Sequence, residues 1–123
     1  MNKIFKQSME VGALFIKEYY NEDTHEWKCS EECSMVTAMT IEYAETYEVP
    51  LEKALDLIME HVLTNGFDVI KDHMWDDYCR GFLAGEILGM PTDENLKKVT
   101  KAEKLWEYPS YYGYYHEVLG EVK

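Results

Sequence analysis

Residues 67–91 read FDVIKDHMWDDYCRGFLAGEILGMP. Phe67, Ile70, Met74, Tyr78, Phe82 and Gly85 recur at helical spacing, and Val69, Trp75, Cys79, Leu83 and Ile87 widen the apolar surface beside them. A helix apolar over most of its circumference belongs inside a core, so the stretch predicts a central helix over about 68–88, broken by Gly89-Met90-Pro91. Gly81 and Gly85 share one face of it. Each interior glycine costs a helix about 0.8–1 kcal/mol relative to alanine. The pair therefore predicts a close-packing ridge, where another backbone approaches: a helix of the same chain, a docking partner or a second subunit. Asp76, Asp77, Arg80 and Glu86 within the run exclude a membrane setting for this ridge.

Outward from this helix, the same periodicity recurs. Phe5, Met9, Gly12, Ile16 and Tyr19 predict an amphipathic helix over 3–20, with Ile4, Val11 and Phe15 widening its stripe. A second helix runs from Thr24 or Ser30 to Glu48, with Cys33, Val36, Thr40, Ala44 and Tyr47 as its stripe and Met35 and Met39 beside it. Val49-Pro50 stops it, because the residue before proline avoids the helical region. Pro50 suits the first turn of a third helix, whose inner face is Leu51, Leu55, Ile58 and Val62 and whose end is Asn65-Gly66. Thr92 caps a fifth, carrying Leu96, Val99 and Trp106 inward and ending before Pro109. No strand alternation or internal repeat interrupts the pattern. The expected fold is an all-α single domain over 1–123, a bundle of five to six short antiparallel helices joined by short connections. Residues 109–123 form a Tyr-rich segment packed on the bundle or standing off it as an arm.

The charge is lopsided. The net charge is −12, and residues 18–94 hold 19 of the 24 acidic side chains against Lys28, Lys53, Lys71 and Arg80. Such a field repels nucleic acid and anionic membrane and attracts cations or basic proteins. With 46 % hydrophobic residues the chain can still build a core, so acidity does not mean disorder. No apolar run reaches the roughly 18–20 residues of a membrane span. Three cysteines leave an unpaired thiol, which fits a reducing, cytoplasmic setting.

Several constellations invite a chemical reading. His25, Cys29 and Cys33 stand four apart, and neighbouring pairs could share a metal; all three could not, since His25 to Cys33 spans roughly 12 Å of helix axis. The two further ligands would come from elsewhere, such as His73 or Cys79, and thiols of this kind are more often simply buried. Glu22-x-x-His25 is half of a di-iron motif with no second half. Glu42-x-x-Glu45-x-x-Glu48 resembles one acidic motif of the all-helical nucleotide pyrophosphohydrolases, which hold magnesium between two such motifs; the second is absent, which leaves a metal-dependent nucleotide hydrolase as the alternative class. His73, Asp76 and Asp77 could form an acid-tuned base but lack a nucleophile. No glycine loop for phosphate is present, and no cofactor is called for.

The acidic rows fit recognition better. Glu52, Asp56 and Glu60 fall on one face of the third helix, and Asp68, Asp72 and Asp76, with Asp77 beside them, on one face of the fourth. Steps of about 6 Å along a helix are comparable to the phosphate repeat of a nucleic-acid strand. Like charges four apart weaken a helix by some tenths of a kcal/mol, although solubility alone also favours a charged surface. Tyr111, Tyr112, Tyr114 and Tyr115 follow Tyr108-Pro109-Ser110 in a segment too aromatic for a short tail to bury, and tyrosine is a favoured recognition side chain. In size and charge the chain resembles the small acidic proteins with which phages and mobile elements inhibit nucleases, anti-restriction and anti-CRISPR proteins among them, and the acidic immunity proteins of bacterial toxins. The resemblance implies a non-enzymatic inhibitor docking on a basic partner, such as a nuclease or its nucleic-acid complex, and carries no residue across. A structural subunit of a larger assembly, or a homodimer built on the Gly81/Gly85 ridge, is the remaining reading.

Overall fold

A computed structural model of the chain describes residues 3–19, 31–66, 75–103 and 119–120. All regular structure among them is helical: α1 (Lys3–Glu18), α2 (Glu31–Tyr47), α3 (Leu51–Asn65), α4 (Trp75–Leu88) and α5 (Asp93–Glu103). The expected start of the fourth helix at 68–74, Trp106 and the Tyr-rich segment 109–118 lie outside the described residues.

Helix boundaries follow from local chemistry. Glu48 ends α2 in the left-handed region at φ 53°, and the Val49 amide reaches back to the Ala44 carbonyl at 3.2 Å. Pro50 stands just before α3 in an extended conformation (φ −60°, ψ 150°), one position earlier than the first turn, and its carbonyl accepts the Ala54 amide. Gly66 closes α3 at φ 82° with its amide on the Val62 carbonyl. The Thr92 hydroxyl accepts the Asn95 amide at 3.2 Å, capping α5. Asn95 also donates its side-chain amide to the carbonyls of Leu88 (3.1 Å) and Met90 (2.8 Å), tying the end of α4 to the start of α5.

The most extensive helix contact joins α1 to α4, and glycine makes it possible. A Cβ on Gly12 would collide with the Phe82 carbonyl, one on Gly85 with the Met9 carbonyl, and one on Gly81 would stand 2.7 Å from the Phe5 carbonyl. The ridge read from Gly81 and Gly85 is thus buried against α1 of the same chain, and Gly12 is its counterpart. The contacts advance in the same direction on both helices, Phe5 and Ser8 against Gly81, Met9 and Ala13 against Gly85. Helix α1 and α4 therefore run in the same sense. Helix α2 opposes both: Lys3 meets Glu45 near its end, and Phe15 packs in one cluster with Cys33 and Val36 near its start. The all-antiparallel arrangement expected from short connections does not hold for the α1–α4 pair, because backbone contact between glycine faces fixes the pairing rather than sequence adjacency.

This pair divides the interior. On one side Phe5, Met9, Cys79, Leu83 and Ala84 pack against Val99 and Ala102 of α5 and against Leu119, which is fully buried. On the other, Val11, Phe15 and Phe82 meet Cys33, Val36 and Met39 of α2 and Leu55, Ile58, Met59 and Val62 of α3. Phe15 and Phe82 approach with ring centroids 5.2 Å apart. Helix α4 shares the centre with α2, of which Cys33, Ser34 and residues 36–41 are all buried. Two of its interior hydroxyls are satisfied within the helix, Thr37 donating to Cys33 (2.6 Å) and Thr40 to Val36 (2.7 Å). Tyr47, expected on the inner stripe, is 63 % exposed and stacks on Tyr43 instead.

Alanine at Gly12 or Gly85 should destabilise the fold by about 1–3 kcal/mol or more, because a methyl group there must displace backbone. Alanine at Gly120, where a Cβ meets nothing within 4 Å, should be neutral or stabilising by up to about 1 kcal/mol. Urea unfolding of the three variants checks this; equal effects at Gly85 and Gly120 would remove the close crossing. A second measurement concerns Glu48, whose left-handed backbone is unfavourable by about 1–2 kcal/mol for a non-glycine residue. Glu48→Gly should raise the melting temperature.

Candidate functional site

Burying Leu55, Ile58, Met59 and Val62 commits α3 to one orientation. That turns Glu52, Asp56 and Glu60 outward, all three exposed. The end of α1 adds to the row. The Tyr19 hydroxyl donates to the Asp56 carboxylate, while its ring packs toward Phe15. Desolvation, then the facing carboxylates of Asp56 and Glu52, raise the Glu18 carboxyl above the ordinary range. Burial, the bond to Asp56 and the charges of Asp56, Glu18 and Glu60 push the Tyr19 hydroxyl up as well. Two helices thus bring four carboxylates to one junction, and among the described residues none of the four is in an ion pair.

A second acidic group surrounds Tyr78. Burial raises its hydroxyl, and the carboxylates of Glu42, Glu45 and Asp77 raise it further. Asp77 of α4 thus adds its charge beside Tyr78 to those of Glu42 and Glu45 on α2. Lys3 offsets part of this charge through Glu45 at 3.5 Å. Glu48, third in the Glu42-x-x-Glu45-x-x-Glu48 spacing, lies in the left-handed turn beyond the helix. Among the described residues, no three His, Cys, Asp or Glu side chains converge as a metal site would require. Cys33, weighed as a ligand with His25 and Cys29, is fully buried among Val36, Leu55 and Phe82; it serves the core because α2 turns that face toward α3 and α4. His25 and Cys29 lie outside the described residues.

So do Asp68, Asp72, Tyr111, Tyr112, Tyr114 and Tyr115; Asp76 falls in the first turn of α4, with its side chain outside the description. Helix α5 carries Lys97, Lys98 and Lys101. Helix α5 packs on the cluster side away from α2 and α3. Lys98 pairs with Glu94 of its own helix at 3.8 Å, and Lys97 and Lys101 are exposed. Among the described residues, the α5 lysines form no ion pair with Glu18, Glu52, Asp56 or Glu60. No described helix is long and apolar enough to cross a membrane.

The sequence marks Glu86 only as a charge that excludes a membrane setting, and its burial comes from the structure. The residue sits in the apolar run Phe82–Leu88, where a lone carboxylate was the available signal, and burial alone lifts its carboxyl to about 7. Burial likewise raises Glu10 on α1. A raised carboxyl binds its proton more tightly in the folded chain than in the unfolded one. Folded stability should therefore increase as pH falls from 8 through 7, and decline as pH rises through that value. Glu86→Gln should be more stable than the parent at pH 8, by about 1–3 kcal/mol, and should flatten the dependence between pH 8 and 5.5. Urea unfolding at the two pH values reads the difference; an unchanged pH slope in the variant would show that Glu86 does not carry it.

The geometry stands without a template: no family model, no curated protein and no solved structure matches the chain.

Proposed function

We propose that the protein is a non-catalytic acidic binding protein that docks on a basic protein surface of the kind that holds nucleic acid, and so inhibits its partner. The observation that supports this reading is the face of Glu18, Glu52, Asp56 and Glu60, carboxylates that form no ion pair among the described residues. Repulsion there disfavours the folded chain on its own. An arginine or lysine of a partner placed near the Glu18–Asp56 contact would relieve it. The three acidic side chains of α3 advance by about 6 Å per step, an interval that suits a groove lined for phosphates. The negative field would speed encounter, and specificity would come from the aromatic side chains, Tyr111, Tyr112, Tyr114 and Tyr115 in this reading. The partner is then a protein rather than nucleic acid, which the same field repels.

The test begins with the partner, captured from a nuclease-rich lysate, identified by mass spectrometry and then prepared pure. Its association rate with this protein should fall at least tenfold between low and high salt, on the order expected for a steered encounter. Duplex DNA should compete for the same surface. The triple charge reversal Glu52→Lys, Asp56→Lys, Glu60→Lys should slow association at low salt by a similar factor while the variant remains helical by circular dichroism. An association rate flat in salt, or simultaneous binding of DNA and this protein, would overturn the proposal.

A further inference from the structure

We draw no further inference here: the strongest candidate, a cation site in the carboxylate cluster of Glu18, Glu52 and Asp56 at the junction of α1 and α3, is an acidic cluster with no second observation pointing to a ligand and belongs to the face already described.

Discussion

Backbone-to-backbone contact between α1 and α4 is the constraint on which the rest of the structure depends. The Phe82 carbonyl packs on Gly12 and the Met9 carbonyl on Gly85, where a Cβ would collide with them. Glycine is an unfavourable helix residue in isolation. Here it contributes because close approach lets the flanking Phe5, Met9, Phe15, Phe82 and Leu83 all reach full or near-full burial. Packing at interior density rewards every atom brought into contact. The pair then serves as a partition, with α2 and α3 on one side and α5 with Leu119 on the other.

The position of the negative charge follows from that partition. Orienting α3 by its buried Leu55, Ile58, Met59 and Val62 leaves its acidic row outside. Carrying α1 past it delivers Glu18 and Tyr19 to the same place. Docking α5 on the opposite cluster keeps its lysines from this surface. Packing thus gathers Glu18, Glu52, Asp56 and Glu60 on one side of the described helices. The second group, at Tyr78, is partly offset by Lys3.

Helix positions were legible because their signals are local. The 3.6-residue repeats of α1 and α3, the Thr92 cap and the stop at Gly66 each involve a few neighbouring residues. The glycine ridge was legible too, since Gly81 and Gly85 offer a helix nothing else. Gly12 carried the same information, but within an amphipathic stripe it reads as one more small inner residue. Helix α2 misled at Tyr47, since burial on several sides along residues 33–41 blurs the periodicity that marks an inner face. The burial of Glu86 was not legible because burial is a property of the neighbours, not of the residue.

What the sequence by itself determined is the all-helical class, the approximate helix ends and the sign and excess of charge, all of which arise from spacing and composition along the chain. Tertiary structure alone decided that α1 and α4 run in the same sense, that the ridge faces inward, and that Glu18 joins Glu52 and Asp56. These are contacts between residues far apart in the chain. They are settled by which helix faces bury the most surface without collision, a competition among all the helices at once that no single segment records.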